Sequence, residues 1–162
     1  MKKKLLFVLI SIVAFTILAA GCGTKTVSKS ELVDIYKKMD AIDFQAQAAV
    51  EKKADADKLL KQIYVQPQLS KAIKYVDDMR ANHVRLELYD IKYDKLDVLE
   101  QDEKTATLHV EATPRGDYFT ISFPSNKLGP LEQAIKYDAK LKLVNNKWFI
   151  SEVIPVKPEE TK

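Results

Sequence analysis

The spacing of apolar residues changes at the start of the segment NHVRLELYDIKYDKLDVLEQDEKTATLHVEA, residues 82–112. This change is the main indication of the fold class. Before this stretch apolar residues recur every three or four positions, which is the period of an α-helix. Within it they recur at every second position, as in Val84, Leu86 and Leu88. A period of two predicts half-buried β-strands, because successive side chains of a strand point to opposite faces. We therefore expect helices to come first and a sheet to follow.

Alternation continues toward the C-terminus and predicts a series of strands joined by turns. The predicted strands cover residues 84–88, 94–100, 105–112, 119–123, 137–143 and 148–154. Polar connections are expected at residues 101–104, 114–117 and 145–146, the last because asparagine tolerates positive φ. Helices followed by hairpins predict an α+β fold, in which the N-terminal helices cover one face of an antiparallel sheet and the other face stays partly open.

The sequence before residue 82 indicates where the helices begin and end. Ser28 and Glu31 form a capping-box pattern at the start of the first helix. A stripe of apolar residues at helical spacing follows: Leu32, Ile35, Met39, Ile42, Ala46 and Ala49. Lys53 falls on that apolar stripe, which predicts a bend in the helix near this residue. Pro67 begins a further helix that should end near Asn82. A long coiled coil is the competing interpretation, although the alanines would make a weak seam.

The N-terminus has the order of charged, apolar and small residues found in signal peptides. Lysines at positions 2–4 precede sixteen residues, 5–20, whose only polar members are Ser11 and Thr16. The run ends in Ala-Ala-Gly-Cys at residues 19–22, which resembles the lipobox of bacterial lipoproteins, with alanine at position 19 where leucine is commoner. The resemblance implies cleavage between Gly21 and Cys22 and attachment of lipid to Cys22.

An uncleaved membrane helix is the competing interpretation of this segment. A spanning helix needs about 20 apolar residues, whereas the apolar run here has sixteen and stops before Cys22. A pair of acyl chains would hold the protein durably at a membrane. Because the lysine-rich sequence also suggests a Gram-positive host, we expect a protein that is lipid-anchored on the extracytoplasmic face of the cell membrane.

We expect four parts along the chain: a cleaved leader at residues 1–21, a lipidated cysteine and tether at 22–28, one domain at 29–156 and a disordered tail at 157–162. Without the three leader lysines, 23 lysine and arginine residues balance 23 aspartate and glutamate residues. This neutral composition argues against a nucleic-acid partner. Cys22 is the only cysteine, so a lipidated chain would have neither a disulfide nor a cysteine metal ligand.

The segment LVNNKWFI, residues 143–150, with Val153 behind it, resembles the closing hairpin of the NTF2-like (cystatin-like cone) superfamily. The strand TATLHV, residues 105–110, is similar to the middle strands of that superfamily, and the likeness extends over residues 28–156. The resemblance implies a curved sheet wrapped on helices as a cone, whose mouth either holds a small molecule or is packed with side chains. Since such cones host enzymes, ligand binders and assembly domains alike, it implies no particular activity.

Motifs for catalysis are missing from the sequence. The predicted domain contains only Gly116 and Gly129, which excludes the glycine-rich loops that cradle phosphates. Neither Gly-x-Ser-x-Gly nor His-Glu-x-x-His occurs, so the hydrolase and zinc-site classes lose their support. We therefore predict no catalytic residue, no metal site and no cofactor.

The resemblance nevertheless implies candidates for a catalytic base, because NTF2-like enzymes place an aspartate or histidine base inside the cone. The candidates are His109, Asp90, Asp94 and Asp97. His109 shares its strand face with polar neighbours, which predicts that it faces solvent. Asp90 interrupts the alternation between Leu88 and Ile91, which ordinarily marks a β-bulge that re-aims side chains. A twist in a long strand is favoured there over an acid–base site.

Aromatic residues and one loop complete the set of candidates. Trp148 is predicted to lie in the core, and Tyr36 and Tyr75 are amphipathic helix positions that would lie in the core or edge a groove. The segment at residues 124–131 interrupts the hairpins and holds Leu128 and Leu131 close to two prolines. A long loop on a rigid scaffold is suited to partner contact, so these two leucines form a candidate partner loop.

Three hypotheses for function follow. The first is a non-enzymatic, lipid-tethered module that binds another protein of the cell envelope. The second is a small-ligand binder, which predicts an apolar cavity with one or two convergent polar groups. The third is cone-type acid–base catalysis, which requires a carboxylate or His109 inside the cavity with a shifted pKa.

Overall fold

A computed structural model describes residues 27–156 of the chain. The predicted leader, the cleavage site at Gly21 and Cys22, most of the tether and the tail at residues 157–162 lie outside the described residues. The described part begins just before the capping box, in which Ser28 accepts a hydrogen bond from the Glu31 amide while the Glu31 side chain accepts one from the Ser28 amide. This pairing satisfies free amides of the first helical turn.

Three helices precede the sheet. They are α1 (Lys29–Ala48), α2 (Lys53–Ile63) and α3 (Gln68–Ala81). The predicted bend near Lys53 is a complete break, after which α2 packs against α1. The chain therefore folds back, and the long coiled coil is not formed. As predicted, Pro67 directly precedes α3 and Asn82 caps its end.

Five antiparallel strands follow. They are β1 (Val84–Gln101), β2 (Thr105–Thr120), β3 (Lys127–Leu131), β4 (Ile135–Val144) and β5 (Lys147–Pro155). The strand order is β1-β2-β4-β5, and β3 also pairs with β2. On the edge of β2 away from β1, β4 pairs with residues 105–112 and β3 with residues 116–119. The three helices pack on one face of this curved, open sheet, so the predicted α+β fold is confirmed.

The predicted connection at residues 114–117 is wrong, because β2 runs straight through it. Pro114 pairs with Ile91 and Gly116 with Leu88 of β1. Pro114 lies between the segments of β2 that pair with β4 and β3, at a free edge where a missing amide is tolerated. Gly116 is needed for close approach, since a Cβ atom there would lie 2.4 Å from the Glu87 carbonyl oxygen.

Other strand predictions change in extent. Residues 84–88 and 94–100 belong to the single strand β1, whose register shifts between Leu88 and Asp90, so the predicted bulge is confirmed. The predicted strand at residues 119–123 is wrong beyond Thr120, and Phe123 is fully exposed. Five of the eight residues of the predicted loop at residues 124–131 form strand β3, which fits a short edge strand containing Gly-Pro.

Candidate functional site

A cavity of about 490 Å³ lies between the helices and the concave face of the sheet. Residues of α1, of α3 and of all five strands contribute to its wall, together with Tyr64 directly after α2. Its aromatic lining consists of Tyr36, Phe44, Tyr64, Tyr75, Tyr118 and Tyr137. Apolar side chains such as Leu131, Ile135 and Val153 form much of the remaining wall. The space between the helices and the sheet is therefore not filled by side chains of the protein.

Polar groups enter the cavity from one stripe of α1. Tyr36, Asp40, Asp43 and Gln47 are spaced four, three and four residues apart, so they share one face of the helix. Asp40 and Gln47 are only 8% and 7% exposed, and Asp43 is partly buried. The apolar stripe beside them anchors α1 in the core. This anchoring fixes the polar stripe toward the cavity.

Tyrosine hydroxyls hold the two carboxylates in place. Tyr93 donates a hydrogen bond of 2.6 Å to Asp40 Oδ2. Asp43 accepts one bond of 3.0 Å from Tyr64 and another of 2.8 Å from the Gln47 amide. Burial raises the pKa of Tyr64 and of Tyr93 above the ordinary value, so both remain protonated donors at neutral pH.

The carboxylates are poorly solvated, and this changes their acidity. Burial raises the pKa of Asp40 to about 6, the hydrogen bond from Tyr93 offsets part of that rise, and the charge of Asp43 adds to it. Burial also raises the pKa of Asp43, against the two hydrogen bonds that lower it. No positively charged residue among residues 27–156 forms a salt bridge with either group. The cavity thus holds negative charge that the described protein does not neutralise.

This arrangement offers binding chemistry of a definite kind. Within the described chain there is no group of three histidine, cysteine, aspartate or glutamate residues that would hold a metal ion. Two carboxylates among aromatic rings can accept hydrogen bonds or attract a positive charge. A carboxylate with a pKa near neutrality can also accept and release a proton.

The residues that the NTF2-like resemblance named as bases are not in the cavity. Asp90 pairs with Arg115, Asp94 pairs with Lys92, and Asp97 is exposed. His109 lies on the outer face of the sheet, as its strand position predicts. None of the four lines the cavity, so none of them provides the internal base that the catalytic hypothesis requires.

Solvent exposure of His109 is nevertheless lower than predicted, at 12% of the side chain. Its Nδ1 lies 2.7 Å from Asp138 and its Nε2 lies 2.9 Å from Glu111. These hydrogen bonds raise the pKa of His109 above its ordinary value. The two carboxylates cover the ring on a face that carries charged residues.

The two leucines of the candidate partner loop separate in the structure. Leu128 is 55% exposed, whereas Leu131 lines the cavity and packs against the core. They therefore do not form one joint surface. Trp148 is buried in the core, as predicted. Tyr36 and Tyr75 both line the cavity, which matches the groove interpretation of these positions.

Sequence reasoning missed Asp40, Asp43 and Gln47. The signal was present, because these residues continue from Tyr36 at helical spacing directly beside the apolar stripe. A carboxylate on a helix is usually solvated, so such a stripe is normally assigned to the exposed face. The curved sheet covers it here.

Comparison with known proteins supports the fold only. No protein-family profile matches the chain, and no curated protein is significantly similar to it. The chain resembles the intermembrane space region of the chloroplast protein ARC6, with 10% identity and a TM-score of 0.54 over 75% of this chain and 95% of that one. A de novo designed β-sheet protein matches with 12% identity and a TM-score of 0.42 over 82% and 95% of the two chains. At such identity the ARC6 likeness shows a shared α+β fold, and the second match carries no argument.

The helices give one further finding about membranes. Within residues 27–156, no helix combines the length and the apolar character that a membrane crossing requires.

Proposed function

We propose that this chain is a small-ligand-binding lipoprotein of the bacterial cell envelope, with an NTF2-like cone as its binding domain. The observation that carries the proposal is the cavity, which combines apolar and aromatic walls with two convergent carboxylates. Binding sites for small molecules are typically concave, mostly apolar and furnished with a few fixed polar groups. The cavity volume of about 490 Å³ lies within the range of such sites.

The lipobox pattern supports the proposed location. A lipid on Cys22 would tether the domain to the outer face of the cell membrane through residues 22–28. The ligand would then be a molecule present outside the cytoplasm. In this proposal the chain has no catalytic role.

Ligand-observed NMR with a fragment library of mixed charge tests the binding proposal. The full chain in lipid nanodiscs should bind a subset of fragments, with empty nanodiscs as the blank. Ala72 lies in the cavity wall, so Ala72→Phe places a large side chain in the space that a ligand would occupy. Ala54→Phe makes the same change at an exposed position of α2 and is the control. Fragments should lose binding to Ala72→Phe and keep it with Ala54→Phe.

A second variant guards against misfolding of Ala72→Phe. Gln133 lines the cavity and is exposed, so Gln133→Trp narrows the mouth without altering the core. If every fragment bound both cavity variants as well as it bound the wild type, the proposal would be overturned.

Asp40 favours cone-type acid–base catalysis as a second candidate function. It lines the cavity, and burial raises its pKa to about 6, which is suited to proton transfer near neutral pH. Catalysis predicts that some bound compound is converted and that Asp40→Asn abolishes the conversion. Simple binding predicts that every bound compound is recovered unchanged.

The interaction-module hypothesis retains one supporting observation, which is the exposure of Leu128 on the short strand β3. Photocrosslinking in cells from Leu128, with exposed Lys58 of α2 as the control position, distinguishes it. An envelope protein captured from Leu128 alone would support a partner surface, whereas equal capture from both positions would argue against one.

A further inference from the structure

The charge in the cavity decides which ligand chemistry it fits. Asp40 and Asp43 both line the cavity, and no described cationic side chain pairs with either. Buried carboxylates are normally paired, because an uncompensated buried charge is costly. A positive group supplied by a ligand would provide the missing compensation.

Asp40 has capacity left for such a group. It is 8% exposed, and its Oδ2 accepts the hydrogen bond from Tyr93. Asp40 Oδ1 has no hydrogen-bond partner among residues 27–156. It is also not one of the side-chain atoms of that region that are buried from solvent without a partner, so this oxygen is accessible. The second oxygen is therefore available at the cavity wall. Asp43 differs, because Gln47 and Tyr64 already bind its two oxygens.

The aromatic walls also favour a cation. Tyr36, Tyr64 and Tyr137 bring their rings to the cavity close to the two carboxylates. The faces of aromatic rings attract ammonium groups within about 6 Å. One contact of this kind already exists within the protein, at the tyrosine that bonds Asp40. Lys37 Nζ lies 5.4 Å from the ring centre of Tyr93.

Other ligand classes fit the cavity less well. An anion would face both carboxylates, and the only described lysine on the wall, Lys71, is exposed and acts electrostatically on Glu152. A metal ion would need further ligands beside these two carboxylates, and the described part of the chain contains no group of three histidine, cysteine, aspartate or glutamate residues that could hold one. Leu131, Ile135 and Val153 offer an apolar surface to the rest of an organic ligand.

We propose that the cavity binds a small organic cation, with an ammonium group against Asp40 Oδ1 and an apolar body against the aromatic and aliphatic walls. This inference rests on the proposed ligand-binding function and specifies its ligand class. Asp40 would be the direct ion-pair partner, and Asp43 would add attraction at longer range.

Three probes of nearly equal size and different charge test the inference: phenethylamine, 2-phenylethanol and phenylacetate. Calorimetric titration at neutral pH uses the full chain in lipid nanodiscs, with empty nanodiscs as the blank. The cationic amine should bind about tenfold more tightly than the neutral alcohol, since a hydrogen bond to a charged group contributes that much. Phenylacetate should bind most weakly.

Carboxylate variants locate the effect. Asp40→Asn should remove most of the tenfold preference for the amine, and Asp43→Asn should remove a smaller part. Asp97→Asn, at an exposed position of β1, should leave the preference unchanged. A preference that survives in both cavity variants would overturn the inference.

The outcomes separate this inference from the proposed function. If 2-phenylethanol or phenylacetate bound as tightly as the amine, and Gln133→Trp abolished that binding, the cavity would be a ligand site without a preference for cations. The inference would then fail and the proposed function would stand. Absence of binding by all three probes would overturn the inference, and the fragment library would still decide the proposed function.

Discussion

Among individual residues, Asp40 is central to the proposed ligand site. It is buried beside another carboxylate, and its one described hydrogen bond comes from a tyrosine. Folding therefore removes an ionised group from water without full compensation. Such a cost in stability is typical of residues retained for binding or chemistry.

The pH dependence of stability measures this cost. The pKa of Asp40 is raised from 3.8 to about 6 on folding. The folded state therefore keeps the proton more tightly, and its stability falls as pH rises through this window, by about 3 kcal/mol at full effect. Relative to the wild type, Asp40→Asn should gain about 2 kcal/mol of unfolding free energy between pH 4 and pH 7, measured by urea denaturation.

The wild-type profile alone would not isolate this effect, because exposed carboxylates such as Asp77 and Asp102 have lowered pKa values and act in the opposite sense. The difference between the wild type and Asp40→Asn removes their contributions. Asp97→Asn, at an exposed position of β1, is the control for the substitution itself. A difference for Asp40→Asn that does not change with pH would contradict the burial of an ionisable group at this position.

Individual inward and outward positions of the strands could be predicted from the sequence, but the site residues could not. Alternation placed Leu108 and Val110 inside and His109 outside, and the structure agrees. The sequence pattern treats a charged helix position as solvated, whereas Asp40 is covered by a sheet that forms more than forty positions later in the chain. Only the tertiary contact reveals that covering.

At the scale of elements, the long hairpin of β1 and β2 organises the molecule. The composition of residues 114–117, Pro-Arg-Gly-Asp, is typical of a turn, and it is overridden because β1 pairs with β2 as far as Thr120. Local turn chemistry competes here with a continuous ladder of hydrogen bonds. Pairing along both strands is the stronger effect, so residues 114–117 stay in β2. The turn-like composition of these four residues does not reveal this long-range pairing.

Gly116 gives a direct test of this pairing. A Cβ atom at Gly116 would lie 2.4 Å from the Glu87 carbonyl oxygen, so β1 and β2 would have to separate locally. Gly116→Ala should reduce the unfolding free energy by about 2–3 kcal/mol, as in other overpacked sites. Thr113→Ala, on the same strand, is the control. Urea denaturation that left Gly116→Ala as stable as this control would show that the strands do not approach so closely.

The β4–β5 turn was predicted correctly from its two asparagines. Asn145 and Asn146 have φ values of 49° and 62°, which are left-handed. A β-branched residue in this conformation costs about 1–2 kcal/mol, whereas glycine adopts it freely. Asn146→Val should therefore be destabilised by about that amount in thermal unfolding, and Asn146→Gly should be at least as stable as the wild type. Equal stability of the valine and glycine variants would exclude the left-handed turn.

At the scale of the whole molecule, the sequence predicted helices on one face of an antiparallel sheet, and the structure confirms this α+β arrangement. The open cavity was not predictable, because its volume depends on how side chains from seven elements meet. Hydrophobic periodicity records which residues turn inward, but it does not record whether they fill the space between the layers.

Attachment to the membrane is a separate prediction at this scale. Mass spectrometry of the full-length gene product, isolated from membranes of its host, should show a chain that begins at Cys22 and carries acyl groups. Cys22→Ser should lack the lipid mass. A wild-type product that retained residues 1–21 without lipid would favour the uncleaved membrane helix.

An NMR titration shows whether the cavity between the helices and the sheet is a ligand site. Phenethylamine is added to the isotopically labelled full chain in nanodiscs, and backbone amide shifts are followed. We expect shifts concentrated at cavity residues such as Asp40, Asp43 and Tyr137, with small shifts at His109 and Leu128. In Gln133→Trp the shifts at the cavity residues should be lost. Shifts centred on the outer face of the sheet, or unchanged in Gln133→Trp, would contradict it.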